Sequence, residues 1–102
     1  MATLEQQLHP HRDVVDTELE GQESVLLHLQ SKLYYTLNVT GTHIWRGLRK
    51  DLTLREISQC LQREFIVDAE AADQCVLRLV DELCRQKLVE TLDVKEFVER
   101  PL

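Results

Sequence analysis

Hydrophobic positions alternate through the first third of the chain and then change to a helical period. Residues 13–19, with Val14, Val15 and Leu19, predict a strand, and Glu20, Gly21 and Gln22 predict the turn that closes it. Residues 24–29 place Val25, Leu27 and Leu29 on one side. Gln30, Ser31 and Lys32 then connect to Leu33, Tyr34, Tyr35, Thr36 and Leu37, so these two runs predict a hairpin. Leu33, Tyr35 and Leu37 share one face of the second run, and Tyr34 and Thr36 take the other.

The period changes at Asn38, a suitable helix cap, after which Val39, Ile44, Trp45 and Leu48 recur at helical spacing with Gly41 in the first turn. A second helix begins at Thr53, which with Glu56 matches a capping box, while Leu52 and Ile57 stand where a hydrophobic staple needs them. Ile57, Cys60, Leu61 and Phe65 form its apolar stripe. Ile66 and Val67 lead to Asp68, the predicted cap of a third helix that runs to about Gln86, with Glu70 in its first turn. Leu88 and Val89 predict a short extended segment, and Val94, Phe97 and Val98 in the charged tail are spaced as a helical turn. Residues 1–12 are polar without a sustained period and read as a flexible arm, which leaves residues 13–90 as the domain and 91–102 as the tail.

The third helix carries more apolar surface than one packing face requires. At about 100° per residue with Val76 at zero, Ala72, Leu79, Val80 and Leu83 lie within about 60° and form a core stripe. Leu77 and Cys84 lie about 80° to 100° around, with Asp73 between them and the core. Either the helix is buried on two sides, or Leu77, Cys84 and Val80 line a groove against the strand 33–37. In the second case Asp73 and Asp81 would stand at the groove margin, facing a basic group on a ligand.

Composition narrows the function classes. The 102 residues, 43% hydrophobic and 29% charged, suffice for one domain. Acids outnumber bases 18 to 12, a net charge of −6, which argues against a phosphate-binding surface and hence against nucleic acid as a partner. No apolar run approaches the roughly 20 residues that span a bilayer, and no secretory signal opens the chain, so no membrane is expected and a cytoplasmic location is. Cys60, Cys75 and Cys84 are odd in number, lack a Cys-x-x-Cys spacing and fall in helices, so they read as free, buried thiols. His9 and His11 lie in the arm without a third ligand at useful spacing, and His28 and His43 are isolated. No nucleophile, base and acid recur at catalytic spacing and no Gly-rich loop follows a strand; no enzyme activity, metal or cofactor is therefore indicated.

The strings YYTLNVTGTHIW (34–45) and VLRLVDELCRQKLV (76–89) resemble a known family. In order and spacing, Val25, Leu26, Tyr34, Tyr35, Leu37, Asn38, Thr40, Gly41, Ile44 and Trp45, then Val76, Leu79, Val80, Leu83, Leu88 and Val89, are similar to the PqqD-like proteins. These are the stand-alone form of the RiPP recognition element, which binds leader peptides of ribosomally made precursor peptides. The resemblance spans residues 13–89 and implies an α+β fold, a winged helix-turn-helix with an N-terminal three-stranded antiparallel sheet followed by three helices. Lys87 departs from the pattern, since the family often has Gly there, and implies a less sharp end to the third helix.

The resemblance also implies a mechanism. The leader would lie antiparallel along the third strand, here Leu33, Tyr34, Tyr35, Thr36 and Leu37, with apolar side chains entering the cleft toward the third helix. The helix positions carried over are Asp73, Leu77, Val80, Asp81 and Cys84, with Ile44, Trp45, Leu48, Ile57, Leu61, Phe65, Val76, Leu79 and Leu83 as scaffold. Implied partners are a precursor peptide and a radical SAM enzyme, another modifying enzyme or a leader peptidase. An exposed strand edge also allows a homodimer. The alternative is a winged-helix DNA-binding regulator with the third helix in the major groove. Against it, residues 69–86 carry Glu70, Asp73, Asp81 and Glu82 but only Arg78 and Arg85.

Overall fold

The alternating runs pair as an antiparallel meander in this computed structural model, which describes residues 3–91. Strands β2 (Val14–Glu18), β3 (Ser24–His28) and β4 (Tyr34–Leu37) follow a short segment β1 (Leu8–Pro10). In register, Asp16 faces Leu26 and Leu26 faces Tyr35, giving the sheet order β2-β3-β4. Three helices follow, α1 (Val39–Arg49), α2 (Leu54–Phe65) and α3 (Ala69–Arg85), and then β5 (Val89–Thr91). This is the expected α+β arrangement of a three-stranded antiparallel sheet followed by three helices.

Each helix starts where a side chain satisfies its first free amides. Asn38 Oδ1 accepts from the Gly41 N–H at 2.8 Å, and Asp68 Oδ1 accepts from Ala71 at 2.8 Å. Thr53 and Glu56 close the capping box in both directions, at 3.1 and 2.8 Å. α3 stops sharply despite Lys87, contrary to the expectation from the missing glycine. Lys87 takes a left-handed conformation (φ 59°), its N–H donates to the Cys84 carbonyl, and the Leu88 N–H donates to the Leu83 carbonyl at 2.9 Å. That pair of bonds is a complete Schellman motif built on lysine.

The buried face of the sheet is Ser24, Leu26 and His28 with Leu37, packed on Ile44, Trp45 and Leu48 of α1. The β3 side chains Val25 and Leu27 take the opposite, half-exposed face. Ile57 and Leu61 of α2 and Val76, Val80 and Leu83 of α3 complete the core. Gly47 lets α1 and α2 meet closely, because a Cβ there would lie 2.6 Å from Ile57 Cγ1.

The expectation of a flexible arm over residues 1–12 is corrected for its described part. β1 pairs antiparallel with β5, and Leu8 is 2% exposed within the core. The Gln6 and Leu4 carbonyls accept from Leu54 and Arg55, two first-turn amides of α2 that have no partner inside the helix. One apolar residue per short segment creates no readable period, so only the distant partner strand reveals the element. The cysteines are also corrected: all three are free, but Cys60 and Cys75 are half-buried and Cys84 is exposed. Val94, Phe97 and Val98 lie outside the described residues.

Candidate functional site

β4 is a terminal strand of its sheet, bonded to β3 on one side only. The His28 N–H donates to the Leu33 carbonyl at 3.1 Å, and antiparallel pairing alternates, so Tyr35 and Leu37 also turn their backbone groups toward β3. Tyr34 and Thr36 therefore present their N–H and C=O groups at the free edge.

A groove of about 780 Å³ runs between this strand and α3, bounded by the first turns of α1. Its floor is apolar, made by buried Leu37 and Ile44 with half-buried Cys75 and Leu79. Gly41 keeps the end of α1 close to β4, since a Cβ there would sit 3.2 Å from Leu37 Cδ2. Polar groups form the rim: Glu23 on the sheet side, and Gln74, Arg78, Glu82 and Arg85 along α3. Arg85 donates to Glu82 at 2.6 Å, and Gln86 donates to the other carboxylate oxygen at 3.1 Å. The Arg85 bond, then the Gln86 bond, hold the Glu82 carboxyl below the usual glutamate range. Tyr35 is half-buried in the groove, and desolvation, followed by the nearby Glu82 charge, raises its phenol above the ordinary value.

Of the expected strand residues, Tyr35, Thr36 and Leu37 line the groove. Tyr34 does not; it is 73% exposed on the outer sheet face opposite Leu27. Leu33, 60% exposed, lies just before β4 in the connection from β3. None of the five expected α3 residues lines the groove. Asp73 accepts a hydrogen bond from Ser58 of α2, Val80 is wholly buried, and Leu77 is half-buried against the core. Asp81 is half-buried and Cys84 exposed; burial and then the Asp81 charge raise the Cys84 thiol.

The reason is geometric. Cys75, Leu79 and Glu82 lie about 60° to 120° to one side of Val76, whereas Asp73, Leu77, Val80, Asp81 and Cys84 lie about 40° to 140° to the other. A stripe read from sequence gives the width of a buried face, not which flank meets the sheet. Leu77 is explained by the helix being covered on a second side, toward α2. That reading missed Ala71, Gln74, Cys75, Arg78, Glu82 and Arg85 on α3, Thr40 and Gly41 on α1, and Glu23 and Asn38, with Ile44 and Leu79 taken only as scaffold. The small residues Ala71 and Cys75 beside Leu79 are the available sequence signal for a helix flank that leaves space.

A family model described as coenzyme PQQ synthesis protein D (PqqD) matches residues 23–89, which include β4, α1 and α3. The chain belongs to the PqqD family. Among solved structures, the PqqD fold of this chain is similar to "TbiB1 in Complex with the TbiA(beta) Leader Peptide", with 28% identity and a TM-score of 0.76 over 80% of this chain and 94% of that one. It is also similar in fold to "Lasso peptide synthetase B1 complexed with the leader peptide", with 22% identity and a TM-score of 0.74 over 81% and 96%. No match was found among curated proteins. β1 and β2 both fall outside the family match, so the strand pair that ties residues 8–10 to residues 89–91 is described by this structure and not by the PqqD pattern.

Proposed function

We propose that this PqqD-family protein binds the leader of a ribosomally synthesised precursor peptide as an added strand on β4. The observation that carries the reading is the free β4 edge, with the Tyr34 and Thr36 backbone groups turned outward beside an apolar-floored groove. Two further facts support it: the family match, and the likeness at 28% identity to a protein solved with a leader peptide. Backbone bonds along the edge give affinity that tolerates sequence, and alternate side chains entering the groove give selection. The protein acts without catalysis or cofactor, in the cytoplasm, presenting the precursor to a radical SAM enzyme, another modifying enzyme or a leader peptidase. The same edge can accept a second copy of the chain, in competition with the leader.

The DNA-binding reading finds no support here. α3 has the net charge of −2 that its acids and arginines give, and Arg85 is already engaged by Glu82.

The test is Thr36→Pro, because Thr36 faces the free edge and its N–H is not used by β3. Proline removes that donor and leaves the β3 ladder intact. With circular dichroism showing an unchanged fold, leader affinity measured by fluorescence anisotropy should fall at least about tenfold, the loss of one to two interchain hydrogen bonds. The leader to be tested is that of a short precursor reading frame sought beside this gene. Undiminished affinity overturns strand addition at β4.

A further inference from the structure

The charges along the groove are unequally satisfied. Arg85 and Glu82 bind each other, and Glu82 takes a second bond from Gln86. Arg78 stands one turn before Glu82 on the same flank and lines the groove, yet its side chain makes no ion pair or hydrogen bond among the described residues. Glu82, the acid at the i+4 position that could have held it, is occupied. The other rim acid, Glu23, precedes Ser24, the partner of Leu37, and so lies at the Leu37 end of the strand.

An extended peptide on β4 sends every second side chain toward α3, at a spacing of about 6.6 Å. Short apolar side chains reach the floor at Leu79 and Ile44, whereas a carboxylate can stop at the rim, where a guanidinium offers two parallel donors. Resting on the leader-binding reading above, we propose that Arg78 makes this site selective for leaders with an Asp or Glu on the groove face of the added strand. The acidic Asp81 gave the opposite expectation, a basic leader; Asp81 is not in the groove, and the cation that is there reverses the sign.

The experiment is a display selection of random 12-residue peptides on the full-length protein, run in parallel on Arg78→Glu and on Thr36→Pro. Arg78 is exposed, so its variants leave the core untouched. The wild-type protein should enrich peptides with apolar residues at alternate positions and an acid at one fixed position among them. Arg78→Glu should enrich Lys or Arg at that same position. In synthetic peptides from the selection, Glu→Gln should weaken binding to wild type about tenfold and binding to Arg78→Gln much less. Peptides retained by wild type and lost by Thr36→Pro, but with no acidic preference or with the same preference on Arg78→Glu, overturn the role of Arg78 and leave strand addition standing. A wild-type protein that enriches no peptide overturns both.

Discussion

Replacing Leu8 with Ala tests whether the N-terminal segment belongs to the folded unit. Leu8 is 2% exposed and shares the core with Trp45, Leu54 and Leu88. Truncating a leucine so placed removes its transfer free energy and leaves a cavity, together about 2–5 kcal/mol. A central value of about 3 kcal/mol is a large fraction of the roughly 5–15 kcal/mol that holds a domain together. For a chain of this size it corresponds to a fall in melting temperature of about 12–24 °C. Trp45, the sole tryptophan, is 1% exposed in the same cluster, so its fluorescence in urea reports the transition directly. Glu5→Ala serves as the comparison, since it breaks only the exposed 2.7 Å pair with Arg55 and should change stability by less than about 0.5 kcal/mol. A Leu8→Ala protein as stable as Glu5→Ala would mean that β1 is peripheral and would refute the β1–β5 closure.

Two other predictions concern α3. Lys87→Gly relieves a left-handed lysine inside an otherwise complete Schellman motif and should raise stability by about 0.5–1 kcal/mol in urea unfolding; a loss would show that the lysine side chain contributes more than its backbone conformation costs. Glu82 has its folded pKa lowered by Arg85 and then Gln86, so the contribution of this exposed pair is present above the ordinary glutamate range and is lost as pH falls through the lowered value. A carbon-13 titration of its carboxyl should give a midpoint below that of free glutamate, and a midpoint at or above it would contradict the pairing with Arg85.

Much of the fold was readable because it is encoded locally. Asn38, Thr53 with Glu56, and Asp68 each cap the helix that follows them, and the alternation through residues 24–37 defines a hairpin whose turn lies between two β-rich runs. β1 was not readable, because Leu8 has no apolar neighbour at period two and its partners are supplied from the far end of the described chain. The α3 wall of the groove was not readable for a different reason. Val76 and Leu83 lie in the core as expected and Val80, expected at the groove edge, is wholly buried there too, but the flank that faces β4 follows from how α3 lies across α1 and α2, which no periodicity contains. Leu77 extends the buried face toward α2, where Asp73 accepts from Ser58, while Cys84 on the same flank is exposed, so neither lines the groove. The β4 residues divide more finely than alternation suggests: side chains of Tyr35 and Leu37 face inward, while the backbone groups free for a partner belong to Tyr34 and Thr36.

That division makes amide hydrogen exchange, followed by NMR with and without the leader peptide, the most direct test of strand addition. The Tyr34 and Thr36 amides face the free edge and should exchange rapidly in the protein alone, then become protected when the leader is bound. The Tyr35 and Leu37 amides, already turned to β3, should change little. Protection of all four amides alike, or of residues elsewhere while Tyr34 and Thr36 continue to exchange freely at saturating leader, would contradict an added strand on β4.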